Sequence, residues 1–232
     1  MWDGKKKAIT FSFDDGVRQD IRTIEIMNKY GLRGTFNLNS SAIGCKKEVE
    51  YNGKIISRDK VCPQEIKPVY EGHEIAVHTL SHPNLTQLDD ETVVYQVEKD
   101  RQILSELCGY EVVGMAYPCG GVNNDERVAS LIKNRTGVKY SRTITSTYSY
   151  DLQNNLYRFN PSIHYVEYGK LVAMAEEFIE LKTDKPQLFY IWGHTYALDH
   201  GGDMNWESFE QLCKLLSGKK DIFYGTNRQV FL

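Results

Sequence analysis

Short apolar runs alternate along the chain with segments whose apolar residues recur at helical spacing. The run at 8–14 is followed by a segment in which Ile21, Ile24 and Met27 share one helical face. This order predicts a strand and then an amphipathic helix at 19–30. The same order predicts further strands at 34–39, 74–78, 113–117, 139–144, 187–192 and 222–224, and helices at 63–70, 88–107, 125–135, 168–181 and 206–216.

The alternation indicates the fold class. The near-continuous apolar run at 187–192 is typical of a strand buried in a parallel sheet. Residues 40–60 read as a polar excursion, and 146–165 carry the weakest pattern. No linker, repeat or low-complexity stretch divides the chain, so we expect one α/β domain over residues 1–232. About seven strand–helix units favour a barrel over an open sheet.

Composition narrows the function classes. The chain has 232 residues and a net charge of −3, which gives no basic footprint for nucleic acid or an anionic membrane. No apolar run approaches the roughly 18 residues of a membrane span. No apolar segment follows the charged N-terminus, so we expect a cytoplasmic protein. The five cysteines are scattered without C-x-x-C spacing and are predicted to be reduced. Nothing in the sequence defines an oligomeric state.

Two adjacent carboxylates, Asp14 and Asp15, follow the first predicted strand. Neighbouring anions at a strand end repel each other, so a cation is expected to offset them. His78 ends another predicted strand, and His82 lies four residues on, before Pro83. One aspartate with two histidines is a ligand set of hydrolytic metal sites, and it leaves the second aspartate free to act as a base.

These segments resemble two motifs of the polysaccharide deacetylases, the NodB-homology family of carbohydrate esterases (family 4). Ser12–Gly16 matches the motif T/S-F-D-D-G, and His78–Pro83 matches H-S/T-x-x-H-P. The resemblance implies a deformed (β/α)7 barrel and a divalent metal, usually zinc. It also implies removal of acetyl groups from amino sugars or acetylated glycans.

The resemblance assigns roles to these side chains. Asp15, His78 and His82 are the implied metal ligands, which leave open positions for water and substrate. Asp14 is the implied general base. A neighbouring cation favours its ionised form, so it can accept a proton from water near neutral pH.

The third family motif, R-P-P-Y-G, is altered in this chain. Pro118 and Gly120 match it, but Ala116 stands at the arginine position and Cys119 at the tyrosine position. A backbone donor needs no particular side chain, so the Cys119 N–H is expected to stabilise an oxyanion. The residues expected to contact substrate here are Tyr117, Pro118 and Gly120.

Two residues near this motif have open interpretations. Arg142 lies on a predicted strand, where a charge is rarely buried unless it is paired. It either replaces the missing arginine from another strand or is an edge or surface residue. Cys119 as a nucleophile is the weaker hypothesis, because the sequence indicates no separate Cys–His pair.

The last two family motifs are less well matched. His194 follows the strand at 187–192 in a variant of the fifth motif and is the candidate general acid. A core histidine bonded to backbone is the competing interpretation. The fourth motif has no match, although Asp151 lies in the corresponding region. His164 is a further candidate for the cleft lining.

The predicted function is a metal-dependent deacetylase. Its expected partner is an acetylated carbohydrate, with N-acetyl groups favoured over O-acetyl groups. One alternative is an amidohydrolase that acts on a small non-sugar C–N substrate on the same barrel. Another is a carbohydrate-binding protein that retains the metal and has little turnover.

Overall fold

The computed structural model describes residues 1–232. The strands are β1 (Lys7–Asp14), β2 (Gly34–Leu38), β3 (Glu48–Tyr51), β4 (Lys54–Ser57), β5 (Glu74–Val77), β6 (Gly114–Ala116), β7 (Tyr140–Arg142), β8 (Ile163–His164), β9 (Gln187–Gly193) and β10 (Ile222–Tyr224). The α-helices are α1 (Gln19–Lys29), α2 (Ile66–Val69), α3 (Asp90–Cys108), α4 (Glu126–Arg135), α5 (Tyr168–Glu180), α6 (Trp206–Leu216) and α7 (Asn227–Phe231). Short 3₁₀ helices cover Trp2–Gly4, Ser40–Ala42, Pro63–Glu65, Leu85–Gln87, Leu156–Arg158 and Thr195–His200.

Eight of the strands form one sheet in which every pairing is parallel. Seven of them follow the order β7-β6-β5-β2-β1-β9-β8, and β10 pairs with the first residues of β1. Parallel strands bring their carboxyl ends to one edge, so the loops after β1, β5, β6 and β9 meet there. Strands β3 and β4 form a separate antiparallel hairpin.

Residues 159–164 bring the two edges of this sheet together. The Phe159 N–H donates to the carbonyl of Ser141 on β7 at 3.0 Å. The Ser162 N–H donates to the Tyr190 carbonyl on β9 at 2.8 Å. One short segment is therefore bonded to both edges and closes a deformed barrel. The predicted α/β barrel of a single domain is confirmed.

Strand β1 is the central element of the core. All eight of its residues are buried, as expected for a parallel strand covered on both faces. Phe13 stacks against Phe36 of β2 with ring centroids 5.5 Å apart, and Phe209 of α6 meets Phe13 edge-on at 6.0 Å. The strand that carries Asp14 at its end is thus held by aromatic packing from several elements.

Nearly all the predicted elements are present, with ends that differ by at most two residues. Three elements are missing from the prediction: the hairpin β3–β4, the two-residue strand β8 and the C-terminal helix α7. The count of seven was correct for a different reason than expected. The predicted strand at 222–224, now β10, lies off the seven-strand path, and β8 takes its place.

The hairpin had a recognisable turn signal. Asn52 and Gly53, between β3 and β4, both have positive φ, at 50° and 76°. Asn-Gly is the preferred pair for the two-residue hairpin turn that needs this conformation.

None of the helices combines the length and the apolar character that crossing a membrane requires.

Candidate active site

Asp14 is the last residue of β1 and is only 2% exposed. Arg142 Nη2 donates to both carboxylate oxygens, at 2.5 and 2.6 Å. Asn37 Nδ2, from β2, donates to Oδ1 at 2.9 Å, and His194 Nε2 lies 3.9 Å from Oδ2. Arg142 and Asn37 therefore stabilise the carboxylate with hydrogen-bond donors, and Arg142 also with a positive charge.

These neighbours decide the charge of Asp14. Burial acts to raise its pKa, because it disfavours the charged form. The positive charge of Arg142, supported by His78 and His194, outweighs burial and lowers the pKa of Asp14 to about 2. The carboxylate is therefore ionised at neutral pH and able to accept a proton.

Arg142 comes from the strand next to the altered third motif. In the pairing of β6 with β7, Ala116 and Arg142 are direct partners. The guanidinium also donates from Nε to Ser12 Oγ at 3.2 Å and lies 4.3 Å from the Trp192 ring centroid. β7 is the end strand of the sheet, but the Arg142 side chain is fully buried, so the interpretation as a surface arginine is wrong. Arg142 contacts Asp14 from the strand position beside the one where the family has its arginine.

Asp15, His78 and His82 form the candidate metal site. Each offers one ligand atom, and these atoms lie within 4.8 Å of one another. His78 Nδ1 lies 2.9 Å from the Ala116 carbonyl, and His82 Nδ1 lies 3.7 Å from Cys119 Sγ. Partners on both Nδ1 atoms leave the two Nε2 atoms free, and His82 Nε2 is 3.8 Å from Asp15 Oδ1. One carboxylate and two imidazoles of this kind fit a divalent ion such as zinc.

The protonation states suit ligation. Burial lowers the pKa of His78 to about 4, so its ring is neutral at pH 7. Burial acts to raise the pKa of Asp15, but Lys60 and His78 outweigh it and the pKa is lowered. Metal ligands must be deprotonated, and both residues already are.

Four residues in the loops of this site have left-handed backbone. The φ angles are 84° at Asp15, 68° at Thr79, 62° at His82 and 69° at Cys119. Such a conformation costs a residue other than glycine on the order of 1 kcal/mol or more, and it persists only where surrounding contacts impose it. The surrounding loop contacts therefore hold the backbone of two ligand residues, Asp15 and His82, in a conformation that is unfavourable on its own.

The turn after β6 presents Cys119. Asn123 is buried, and its Nδ2 donates to the carbonyls of Pro118 and Cys119 at 3.0 and 2.9 Å. The Cys119 N–H has no hydrogen-bond partner in the structure. The thiol lies against His82, so a Cys–His pair exists that the sequence did not indicate. Burial, with Asp15, raises the pKa of the Cys119 thiol, so the pair does not produce a nucleophilic thiolate.

His194 directly follows β9. In the sheet, β9 pairs with β1 on the side opposite to β2 and β5. Its backbone carbonyl accepts a hydrogen bond from Tyr165 Oη. Burial lowers the pKa of His194, against the opposing effect of Asp14 and Asp15. Asp14 is the only carboxylate within 4.0 Å of the imidazole. The pKa of His194 therefore lies below the ordinary histidine value.

Asp151 does not belong to this site. It is exposed, and its Oδ1 accepts from Gln187 Nε2 at 3.0 Å. Gln187 begins β9 and His194 follows its end, so Asp151 lies at the opposite end of the strand. No aspartate except Asp14 lies within 4.0 Å of His194, so no further aspartate replaces that of the unmatched fourth motif.

A cavity of about 600 Å³ opens above these groups. Of the residues predicted to contact substrate or the oxyanion, Tyr117, Cys119 and Gly120 line the cavity, whereas Pro118 and His164 do not. His164 instead packs edge-on against Trp192, with ring centroids 4.3 Å apart, and burial lowers its pKa to about 3. The lining residues are Asp14, Asp15, Asn39, Ser41, Ala42, Cys45, Lys46, Lys47, Arg58, Lys60, His78, Ser81, His82, Tyr117, Cys119, Gly120, Ile144, Trp192, His194 and Tyr196.

Several supporting residues were missed from the sequence. Asp100 of α3 accepts from the backbone N–H groups of Ser40 at 2.7 Å and of His78 at 3.2 Å. It lies on the buried face of its helix with Val93, Val97 and Leu104, so a polar residue within an apolar stripe was its signal. The others are the asparagines Asn37, Asn39 and Asn123, whose amides bond the site backbone or Asp14.

Comparisons with known proteins agree with this geometry. A family model described as polysaccharide deacetylase matches residues 2–140. The chain is similar to a peptidoglycan-N-acetylmuramic acid deacetylase of Bacillus subtilis, at 27% identity over 127 residues, 54% of this chain and 24% of the relative. It is also similar to a peptidoglycan-N-acetylglucosamine deacetylase of Listeria monocytogenes, at 25% over 119 residues, 50% of this chain and 22% of the relative. The chain thus matches about a quarter of the length of these relatives.

Solved structures share the fold over almost the whole chain. A family 4 carbohydrate esterase from Streptomyces lividans, in complex with acetate, has a TM-score of 0.58 at 14% identity and covers 96% of this chain and 93% of its own. A Bacillus anthracis protein described as a CE4 family pseudoenzyme has a TM-score of 0.59 at 15% identity and covers 97% and 65%. At these identities the likeness shows the fold alone.

The metal site gives the first prediction. His78→Ala removes one of three ligands, and the remaining two are expected to lose the ion, because two side chains form a weak site. Elemental analysis after zinc loading and desalting measures this. The matched control is His164→Ala, a histidine outside the cluster, which is expected to retain one ion per chain. One ion per chain in His78→Ala would remove the assignment.

Proposed function

The chain belongs to the polysaccharide deacetylase family, and on that basis we propose that it is a metal-dependent hydrolase of N-acetylated carbohydrate. One observation carries the proposal: a buried carboxylate, Asp14, held ionised by Arg142 beside a cluster of three metal-ligand residues. Two relatives are named for acetylated sugars of peptidoglycan, so this substrate class is the one we infer. O-acetyl groups are the less favoured substrate.

Asp14 acts as the general base. A divalent ion held by Asp15, His78 and His82 would polarise the acetyl carbonyl and make water a better nucleophile. Asp14 then accepts the proton of the attacking water. The hydrogen bonds from Arg142 and Asn37 hold the carboxylate in one orientation, so no reorganisation is needed at the moment of attack.

The Cys119 N–H stabilises the charge that develops on the acetyl oxygen. It lines the cavity, has no partner of its own, and lies in a turn held by Asn123. A preorganised donor of this kind contributes most when the oxygen becomes negative. Because the donor is backbone, the exchange of tyrosine for cysteine at this position leaves it in place.

His194 acts as the general acid. It lies on the Asp14 side of the cavity, 3.9 Å from Oδ2, and follows a rigid buried strand. An amine is a poor leaving group until it is protonated, so breakdown of the tetrahedral intermediate needs a donor here. The pKa of His194 is lowered by burial, so the protonated fraction decreases as the pH rises toward neutrality.

Two other functions are separated by the same assay. A small-molecule amidohydrolase would release acid from simple cyclic or linear amides and little acetate from sugars. A carbohydrate-binding protein with little turnover would retain metal without acetate release. Two observations favour keeping the carbohydrate-binding protein as a candidate. One protein of similar fold is described as a pseudoenzyme, and His194 has no carboxylate partner other than Asp14.

Acetate release tests the function and the base together. The zinc-loaded protein is expected to release acetate from chitooligosaccharides and to lose this activity after chelation. Asp14→Asn keeps the shape of the side chain and removes its basicity, so turnover is expected to fall on the order of 10²-fold or more with metal content unchanged. Activity near that of the parent protein, at full metal content, would show that another group takes the proton.

Arg142 is expected to set the acidic limit of activity. Arg142→Met leaves burial without its opposing charge, so the pKa of Asp14 increases and the acidic limb of kcat/KM moves to higher pH. kcat is expected to fall by about 10-fold or more. Arg142→Lys keeps a positive charge and should shift the limb less. An unshifted limb in Arg142→Met, with the protein folded, would return Arg142 to a structural role.

His194 is tested by changing the leaving group. Activity is expected to decline on the basic side through one ionisation, below the ordinary histidine pKa because burial lowers it. His194→Ala should remove that limb and reduce amide hydrolysis far more than hydrolysis of an activated aryl acetate, whose leaving group needs no proton. Equal losses on the two substrates would mean that His194 holds structure or substrate instead.

A further inference from the structure

We propose that the carbohydrate substrate carries an anionic group, a carboxylate or a phosphate, and that Lys46, Lys47 and Arg58 bind it. These three residues are called the cationic wall below. The inference deepens the proposed function and rests on it. The anionic group is a feature of the substrate that the catalytic and metal-site residues do not contact.

The charge distribution in the cavity is the first observation. The whole chain has a net charge of −3, yet four cations line the cavity against two carboxylates. All four cations come from residues 46–60, the excursion that contains the hairpin β3–β4. The acidic residues of that hairpin, Glu48 and Glu50, do not line the cavity. The excess of positive charge is therefore concentrated on one side of the site.

The two carboxylates of the cavity are already paired. Asp14 is bound by Arg142, and Asp15 belongs to the metal cluster. The fourth cation, Lys60, belongs with Asp15: its Nζ donates to the Asp15 carbonyl at 2.5 Å and lies 4.0 Å from Oδ1. The cationic wall forms no salt bridge in the structure. Three positive charges thus face the cavity without a counter-charge from the protein.

Backbone pairing holds the cationic wall in place. The Arg58 N–H donates to the Lys47 carbonyl at 2.7 Å, next to the Glu48–Ser57 pair at the end of the hairpin. Asp59, which follows Arg58 in the chain, accepts a hydrogen bond from the Lys47 N–H at 2.9 Å through Oδ1. Gln19 Nε2 donates to the Ser57 carbonyl and to Asp199 Oδ2, both at 2.7 Å, and so ties the hairpin to the barrel. The cations are presented by a fixed element.

Arg58 is the most buried of the three. Its guanidinium carbon lies 3.7 Å from the ring centroid of Tyr196, which also lines the cavity, two residues after His194. The Nε atom is buried and has no hydrogen-bond partner. A planar guanidinium stacked on an aromatic ring presents its donors in a fixed fork, which suits carboxylate and phosphate oxygens. Lys46 and Lys47 are exposed and add two further charges at the rim of the cavity.

The test compares three sugars that share one acetamido group: N-acetylglucosamine (neutral), N-acetylmuramic acid (carboxylate) and N-acetylglucosamine 6-phosphate (phosphate). We expect kcat/KM for at least one anionic sugar to exceed that of the neutral sugar by about 10-fold or more, and to decrease as salt increases. Whichever anionic sugar is preferred identifies the group that is bound. Equal kcat/KM for all three would overturn the proposal while leaving the deacetylase function intact.

Variants assign the preference to the cationic wall. Arg58→Gln is expected to lower the ratio of anionic to neutral kcat/KM by about 10-fold, and Lys46→Gln with Lys47→Gln to lower it further. The matched control is Lys54→Gln, a lysine of the same hairpin outside the cavity lining, which should leave the ratio unchanged. An equal change in Arg58→Gln and Lys54→Gln would overturn the proposal.

Binding keeps this test separate from turnover. Calorimetry with the Asp14→Asn protein measures affinity for the three sugars whether or not acetate is released. Tighter binding of an anionic sugar, lost in Asp14→Asn/Arg58→Gln, supports the cationic wall even if the deacetylase proposal fails. Equal affinity for the neutral and anionic sugars would overturn it.

Discussion

The buried ion pair between Asp14 and Arg142 is the interaction on which the rest of the site depends. Two charges removed from water are costly, and either one alone would be far more so. The pair is retained because each partner has further contacts: Arg142 with Ser12 and Trp192, and Asp14 with Asn37. It also joins the ends of β1 and β7, so the curvature of the barrel fixes the position of the base.

The same pair explains the altered third motif. The family places its arginine at the position of Ala116, and this chain has its arginine on the next strand, at the paired position Arg142. The small side chain of Ala116 leaves room for the neighbouring guanidinium, and the Ala116 carbonyl still accepts from His78 Nδ1. In this chain the contact with Asp14 is made from β7 instead of from the end of β6.

How much the sequence predicts depends on how local each feature is. The order of strands and helices, and the three residues that cluster as the candidate metal site, were predictable because periodicity and short motifs record them. The closure of the barrel through Phe159 and the two-residue strand β8 was not, because it depends on hydrogen bonds to both sheet edges and has no local pattern. Asp100 was in principle detectable from its place in an apolar stripe. The exposure of Arg142 could be settled only by knowing which strand lies beside β6.

The charge state of Asp14 tests the account most directly. We would label the aspartate carboxyl groups with ¹³C in metal-free protein and follow the Asp14 resonance, assigned with Asp14→Asn, as the pH is lowered. We expect no titration of this resonance between pH 7 and about 4, because Arg142 lowers the pKa of Asp14 to about 2. In Arg142→Met the resonance should titrate at a higher pH. A titration midpoint at or above the ordinary aspartate value of 3.8 in the parent protein would contradict the central claim.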